Sequence, residues 1–224
     1  MDTAASGMVR LLEGLTLRSW IYDTAITQLT VRGYRAVLER IPDGARLLDV
    51  GVGTGSALAK QADQILERDL HIDGIDIDPD YLQRCRKRVE DTGLTAHVQV
   101  IEQSVYTHSG GPYDAAYFSA SFMLMPDPIE ALRHVTTLLK PGAPIFFTQT
   151  FEKNRRAWVE FIKPRLHRLT TIRFGAVTYK EPFRETLEQN QLEVTEWVTL
   201  KPLPKSTFDL VATRAAEPTR PDLR

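Results

Sequence analysis

Apolar residues follow two alternating patterns along the first 150 positions: short continuous runs, and series at helical spacing. Short runs of this kind predict buried strands, and the spaced series predict helices with one buried face. The predicted strands are Arg46–Val50, His71–Ile75, Val98–Ile101, Asp114–Phe118 and Ile145–Thr148. The apolar faces of the predicted helices are Val31/Tyr34/Leu38/Ile41, Leu58/Ala62/Ile65/Leu66, Leu82/Cys85/Val89 and Ile129/Leu132/Val135/Leu139. This alternation predicts a mainly parallel sheet with helices on both faces.

The pattern changes after residue 150. A helix is predicted near Phe183–Gln189, and two β-rich runs follow at Leu192–Leu200 and Phe208–Thr213. The connection Lys201–Ser206 is too short for a parallel crossover, so these runs are predicted to form an antiparallel hairpin at one side of the sheet. The expected fold is an α/β, doubly wound, mainly parallel seven-stranded sheet with an antiparallel C-terminal hairpin and extra N-terminal helices. Residues 1–215 are predicted to form one domain, and the polar end 216–224 is predicted to be a mobile tail.

Composition narrows the class of protein. Of 224 residues 42% are hydrophobic, which is enough for a sizeable core. The formal net charge is −1, from 28 basic and 29 acidic side chains, so a surface devoted to nucleic acid is not expected. Cys85 is the single cysteine, which excludes an intramolecular disulfide and a cysteine-rich zinc site. No run approaches the roughly 20 apolar residues of a membrane span, and the N-terminus does not resemble a signal peptide, so a cytoplasmic location is predicted.

A glycine-rich turn is the strongest chemical signal. Asp49, Gly51, Gly53 and Gly55 lie between a predicted strand and a predicted helix. Glycines there let the backbone turn sharply and approach a ligand closely, and a helix N-terminus favours polar or anionic groups. In this strand–turn–helix context the pattern indicates a nucleotide-like ligand.

Two aspartates follow the second predicted strand. Asp76 stands at a strand tip, 25 positions after Gly51, where a carboxylate can accept hydrogen bonds from a ribose diol. Asp78 directly precedes Pro79, which is typical of a helix N-cap. We therefore predict a ribose contact for Asp76 and a capping role for Asp78.

Several common nucleotide and metal patterns are missing. The sequence contains no GxxxxGK[ST] phosphate loop, no tyrosine followed four positions later by lysine, and no HExxH. His71 and His97, near strand starts, are interpreted as structural or solvated. No metal site is predicted. With these patterns absent, the glycine turn is predicted to bind a nucleoside.

Four segments together resemble the class I S-adenosylmethionine-dependent methyltransferases. They are Leu47–Gly55, Gly74–Leu82, Tyr113–Ser121 and Leu138–Gly142, and the resemblance extends over about Tyr22 to Arg214. It implies S-adenosylmethionine as the cofactor and a methyltransferase activity. It also implies cofactor contacts at Asp49, Gly51, Gly53, Gly55, Asp76, Ile77, Ser104, Val105 and Ser119. One departure concerns the adenine contact: the family often has an aspartate after the third strand, where this chain has Gln103, Ser104 and Val105.

Catalytic residues are less clearly marked. Methyl transfer from a sulfonium depends mainly on alignment and exclusion of water, and a general base is needed only when the acceptor carries a proton of high pKa. His134, on a predicted helix, and His108, in a loop, are candidate bases. Tyr22 is a third candidate, since in relatives with a similar leader an aromatic side chain near this point folds over the cofactor. On that analogy residues 1–41 are expected to form an N-terminal helical lid.

A basic segment follows the fifth strand. The segment from Lys153 to Arg173 contains seven lysines and arginines and only one acidic residue, Glu160. In relatives elements inserted here shape the acceptor pocket, so residues 152–180 are expected to form a cap that attracts an anionic or amphiphilic small molecule, with peripheral membrane contact as a further hypothesis. The same charges are also typical of a solvated face over a packed helix.

Three functions therefore stay open on the residues alone. The leading one is a methyltransferase acting on a small-molecule acceptor. The others are an NAD(P)-dependent oxidoreductase on a Rossmann sheet, and a catalytically silent domain that binds the cofactor and activates a partner chain. The sequence predicts no nucleic-acid partner and no particular oligomeric state.

Overall fold

A seven-stranded sheet forms the centre of the protein in a computed structural model that describes residues 27–153 and 178–216. The strands are β1 Arg46–Val50, β2 His71–Asp76, β3 Val98–Glu102, β4 Ala115–Ser119, β5 Ile145–Glu152, β6 Leu192–Pro202 and β7 Ser206–Ala215. Their order across the sheet is β3-β2-β1-β4-β5-β7-β6. Strands β1 to β5 are parallel, whereas β7 is antiparallel to both β5 and β6. The predicted fold class and the late antiparallel hairpin are confirmed.

Helices cover both faces of this sheet. They are α1 (residues 27–38), α2 Ser56–Ala59, α3 Ala62–Glu67, α4 Pro79–Asp91, α5 Pro128–Thr137 and α6 Lys180–Gln189, with a 3-10 turn at Phe122–Leu124. Buried residues of α1 to α4 form one apolar cluster with the sheet, and those of α5 and α6 form a second cluster. Neighbouring strand residues such as Leu47 and Leu48 belong to different clusters, because side chains alternate across a strand.

The start of α4 is set by Asp78 as the sequence predicts. Its carboxylate accepts hydrogen bonds from the backbone N–H groups of Asp80 (3.0 Å) and Tyr81 (3.1 Å), and Pro79 occupies the first helical turn. These bonds satisfy donors that the helix itself cannot pair. The capping interpretation is confirmed.

The single helix predicted after the glycine turn is wrong in one respect. The chain forms two short helices, α2 and α3, and Leu66 is 44% exposed instead of buried. The break falls at Gln61, whose buried amide donates to the carbonyl oxygen of Val31 in α1 (3.3 Å). The turn reorients α3, so that Ile65 faces the core and Leu66 faces solvent.

The hairpin enters the sheet through its second strand. All eight residues of β5 pair with β7, and β6 forms the outer edge. In the described ranges no helix is both long and apolar enough to cross a membrane. Residues 1–26, 154–177 and 217–224 lie outside the described residues and include most of the predicted lid, most of the predicted cap and nearly all of the predicted tail. Those domain boundaries stay predictions.

Candidate cofactor and active site

The glycine turn lies between the tips of β2 and β4. The N–H groups of Gly51 (2.8 Å) and Val52 (3.1 Å) both donate to the carbonyl oxygen of Ile75 at the end of β2. On the other side, a Cβ placed on Gly51 would come within 2.5 Å of the Ser121 Cβ. A side chain cannot be accommodated there without movement, so this glycine is required by the close approach of the two loops.

Gly53 lies at the open side of the same turn. Its φ is +58°, and a Cβ built there would meet no atom of the described chain within 4 Å. None of the described residues therefore occupies the space beyond Gly53, where a ligand could lie. Gly55 differs, because a Cβ at that position would lie 2.5 Å from Cys85 Sγ on α4, so its lack of a side chain serves packing between α2 and α4.

Asp49 is a fully buried carboxylate at the base of the turn. Its Oδ2 accepts a 2.6 Å hydrogen bond from the hydroxyl of Tyr34 on α1, while its Oδ1 has no hydrogen-bond partner among the residues described. Burial raises the pKa of Asp49 to about 7; the Tyr34 hydrogen bond opposes this shift, and the charge of Asp76 adds to it. A buried carboxylate oxygen without a donor is costly, and it suits a cationic or hydrogen-bond-donating ligand group.

Asp76, at the tip of β2, binds the glycine turn directly. Its Oδ2 accepts the N–H of Gly53 (2.9 Å), and its Oδ1 accepts the N–H groups of Ile77 (2.7 Å) and Asp78 (3.0 Å). A carboxylate offers about four acceptor positions, so about one remains on Oδ2 for a ribose hydroxyl. The carboxylate therefore also holds the first two loops together, a role that the sequence does not reveal.

The remaining predicted contacts extend along the same edge. Ile77, next to Asp76, is 73% exposed. Its side chain therefore offers an apolar surface against which an adenine ring could pack. Gln103 N–H donates to the Asp76 carbonyl oxygen (3.0 Å), which brings the partly exposed Ser104 next to the β2 tip. Val105 is buried in the core, and Ser119 ends β4 partly exposed.

The two candidate histidines belong to a polar cluster between β3 and β4. His108 is buried, with Nδ1 2.8 Å from Gln103 Oε1 and Nε2 2.8 Å from the Tyr113 hydroxyl, which itself donates to Asp73 Oδ2 (2.7 Å). Burial lowers the pKa of His108. His134 Nε2 lies 2.7 Å from the His108 carbonyl oxygen. These partners favour a structural role; a base role for either histidine stays a prediction, and Tyr22 lies outside the described residues.

Two residues of this site are not indicated by the sequence motifs. Tyr34 looks like an ordinary core position in the predicted first helix, yet its hydroxyl is the partner of Asp49. Ser121 closes on the glycine turn through a hydrogen bond to the Val50 carbonyl oxygen. The only sequence signal for Tyr34 is a polar hydroxyl on an otherwise apolar helical face.

Comparison with known proteins agrees with this geometry. Residues 48–145 match the family model described as a methyltransferase domain. A ubiquinone biosynthesis O-methyltransferase of Pectobacterium atrosepticum is 26% identical over 163 residues, which are 71% of this chain and 62% of that protein.

Solved structures share the fold. A SAM-dependent methyltransferase from Aquifex aeolicus superposes with a TM-score of 0.65 at 18% identity, over 85% of this chain and 93% of that one. The [4+2]-cyclase SpnF superposes with a TM-score of 0.67 at 17% identity, over 86% of this chain and 82% of that one.

These findings confirm the resemblance found in the sequence. The central part of the chain is a methyltransferase domain, its fold is that of a SAM-dependent methyltransferase, and S-adenosylmethionine is the cofactor that this match supports. The match also favours a methyltransferase over the NAD(P)-dependent oxidoreductase. The chain spans less than two thirds of the length of the curated relatives it matches.

Proposed function

We propose that this protein transfers the methyl group of S-adenosylmethionine to a small-molecule acceptor. The observation that carries the proposal is Oδ1 of Asp49, a buried carboxylate oxygen that lacks a hydrogen-bond partner among the described residues and lies beside a glycine turn that is open at Gly53. The cofactor carries an ammonium group at one end and a ribose diol in its middle. The carboxylate of Asp49 would bind the ammonium group, and the carboxylate of Asp76 would bind the ribose diol.

The residues present fit the cofactor in a consistent order along the sheet edge. Asp49 would hold the ammonium group of the methionine part of the cofactor. The open side of Gly53 would face the carbon chain of that methionine part. Asp76 would bind a ribose hydroxyl, with Ile77 against the adenine and Ser104 at its edge. Ser119, at the tip of β4, would lie nearest to the transferred methyl.

In the proposed reaction the protein acts chiefly through position. The bound cofactor supplies a methyl group on a sulfonium, which is a good leaving group. The carboxylates of Asp49 and Asp76 would orient the cofactor, and the buried apolar residues of β1 and β4 would exclude water from the sheet side of the site. Holding acceptor and cofactor in line accounts for most of the rate increase in such a displacement.

We propose a hydroxyl oxygen on an aromatic small molecule as the first acceptor class to test. Relatives named ubiquinone biosynthesis O-methyltransferases support this choice. The basic segment Lys153–Arg173, of which only Lys153 lies in the described part of the chain, would attract an acceptor that is anionic or amphiphilic. Reversing Arg155, Arg156 and Lys163 to glutamate should raise KM in a salt-sensitive way and leave cofactor affinity unchanged.

Ligand binding gives the first test. S-adenosylhomocysteine should raise the melting temperature and NAD should not, because a ligand that binds only the native state stabilises it by an amount that grows with the ratio of ligand concentration to Kd. The Asp49→Asn variant should lose most of the shift. A shift with NAD alone, or none with either ligand, would contradict the proposed cofactor.

Turnover gives the second test, since the [4+2]-cyclase with this fold shows that fold alone does not determine the reaction. Release of S-adenosylhomocysteine should depend on a phenolic acceptor and should yield the methyl ether. Binding without turnover on any acceptor would instead support the catalytically silent domain.

We also infer a cytoplasmic location and no nucleic-acid partner. The near-neutral charge supports the lack of a nucleic-acid partner, and the single cysteine, free and buried, supports a reducing compartment such as the cytoplasm. Cell fractionation followed by immunodetection would test the location.

A further inference from the structure

Two histidines and an aspartate meet at the end of the sheet opposite the cofactor loops. His71 is the first residue of β2, and His97 immediately precedes β3. The N–H of Ile72 donates to the His97 carbonyl oxygen (2.8 Å), which fixes the two strand starts side by side. The imidazole rings stack with a centroid separation of 5.3 Å.

Asp69 completes the group from the turn before β2. Its backbone is left-handed, with φ +50°, a conformation that aspartate tolerates better than most residues. Its Oδ1 lies 3.6 Å from His71 Nε2 and 3.7 Å from His97 Nδ1. One ligand atom from each of the three residues lies within 4.8 Å of the other two.

We propose that Asp69, His71 and His97 form a binding site for a divalent transition-metal ion of the zinc type. Two imidazole nitrogens and one carboxylate oxygen are a donor set that such ions prefer. Bonds of about 2.0–2.1 Å in a tetrahedral site place neighbouring ligand atoms about 3.3 Å apart. The distances from Asp69, 3.6 and 3.7 Å, need to shorten by a few tenths of an ångström, and the separation of the two imidazole nitrogens, which is within 4.8 Å, by at most about 1.5 Å.

One existing hydrogen bond would be exchanged on binding. His97 Nδ1 lies 3.1 Å from the Leu70 carbonyl oxygen, to which it donates in the metal-free protein. To ligate an ion this nitrogen must lose its proton and offer its lone pair. The ion would thus replace the Leu70 carbonyl oxygen as the partner of Nδ1.

Access to the cluster is open. Both histidines line a depression of about 870 Å³, which also includes Glu90 on α4. Asp69 has a side chain that is 74% exposed, and His71 one that is 45% exposed. An ion at this site would keep room for one or more water ligands beside its three protein ligands.

The site would act on stability and not on methyl transfer. It lies at the first residue of β2, whereas Asp76 is the last, roughly 16 Å away along the strand. Within residues 27–153 and 178–216, strand β3 is the edge of the sheet and pairs only with β2. A bound ion would link the turn at Asp69 to the start of this edge strand.

The experiment uses the whole protein without a polyhistidine tag, titrated with Co²⁺ and with Zn²⁺. We expect one Co²⁺ per chain, with the visible absorption of a site with nitrogen and oxygen ligands, and displacement of that absorption by Zn²⁺. Saturating Zn²⁺ should raise the melting temperature. Asp69→Asn and His71→Gln should each weaken Zn²⁺ affinity about tenfold or more.

Glu90→Gln is the matched control, because Glu90 lines the same depression but is not among the three proposed ligands. It should bind Zn²⁺ as the wild type does. Wild-type protein that binds no Co²⁺, or ligand variants that retain the affinity and melting shift of the wild type, would overturn the proposal. Affinity of each variant for S-adenosylhomocysteine should stay unchanged, which separates this result from the proposed function.

Discussion

The hydroxyl of Tyr34 lies 2.6 Å from Oδ2 of Asp49 and donates the only hydrogen bond that this buried carboxylate receives from the described residues. The other oxygen has no hydrogen-bond partner among the described residues, and we propose that the ammonium group of the cofactor binds it. The pair links α1 to β1 below the cofactor loops. It makes the charge state of one carboxylate important both for stability and for binding.

The first prediction follows from the pKa of Asp49, raised to about 7 mainly by burial. Without ligand, the folded state holds this proton over a pH range in which the unfolded chain, with a pKa of about 3.9, has lost it. The free energy of unfolding should therefore fall as the pH rises from about 4 to 7. Asp49→Asn should flatten this part of the stability profile, as measured by urea unfolding at several pH values.

The same group predicts the opposite pH dependence for cofactor binding. An ionised Asp49 attracts an ammonium group, so affinity for S-adenosylhomocysteine should rise between pH 6 and pH 8, close to the pKa of about 7. Isothermal titration calorimetry at several pH values would measure this change. A wild-type profile identical to that of Asp49→Asn would rule out an ionic contact at this residue.

A second prediction compares two glycines with similar backbones. Gly53 and Gly142 have φ values of +58° and +73°, and neither would place a Cβ within 4 Å of another atom of the described chain. Alanine at either position should lower the free energy of unfolding by about 1–2 kcal/mol through the left-handed conformation. Only Gly53→Ala should also weaken S-adenosylhomocysteine binding, since its added methyl group enters the ligand space. Equal affinities would show that the open side of Gly53 is not used.

A third prediction concerns Asp76, which accepts three backbone hydrogen bonds and for which we propose a ribose contact. Asp76→Ala should weaken S-adenosylhomocysteine binding by about 2–4 kcal/mol. It should also destabilise the protein by about 1–3 kcal/mol, because three backbone N–H groups lose their acceptor.

Asp78→Ala is the matched control for Asp76→Ala. It removes the N-cap of α4, which should lower the free energy of unfolding by about 1 kcal/mol. It should leave the affinity for S-adenosylhomocysteine unchanged. Calorimetric titration at a temperature where both variants are folded distinguishes the two effects. Equal affinities in the two variants would exclude the ribose contact.

A fourth prediction concerns Asp209, a fully buried carboxylate on β7. It accepts hydrogen bonds from Lys180 Nζ (2.8 Å), Trp197 Nε1 (2.7 Å) and Thr199 Oγ1 (2.9 Å). Burial is the largest single effect and raises its pKa, but the hydrogen bonds that it accepts, led by those from Lys180 and Trp197, together outweigh burial and lower the pKa below the usual value. Its contribution should be present at neutral pH and should disappear as the pH falls below about 4.

Removing this acceptor leaves Lys180 and the indole N–H without their buried partner. Because the Lys180 side chain is 38% exposed and can be solvated, Asp209→Ala should lower the free energy of unfolding by about 2–3 kcal/mol at pH 7, the cost of lost hydrogen bonds to a charged acceptor. Asp91→Ala removes an exposed ion pair with Lys87 and should change it by less than about 1 kcal/mol. Similar losses in the two variants would mean that the Asp209 cluster contributes no more than a surface pair.

The local parts of the structure were predictable because their signals are local. Strand β1 has the predicted bounds, and Asp78 caps α4 next to Pro79, since a short apolar run and a cap each depend on a few consecutive residues. The break between α2 and α3 was not predictable from helical spacing. It depends on Gln61 meeting Val31, a residue 30 positions earlier.

The sequence alone determined the alternation of strands and helices, the glycine turn and the aspartates at the strand tips, because each of these is encoded by residues close together in the chain. Tertiary structure decided which groups share a site. It placed Tyr34 against Asp49, inserted β7 between β5 and β6, and brought His97 beside His71 and Asp69. Such contacts join residues far apart in sequence, and only the packing of the sheet and its helices sets the distances between them.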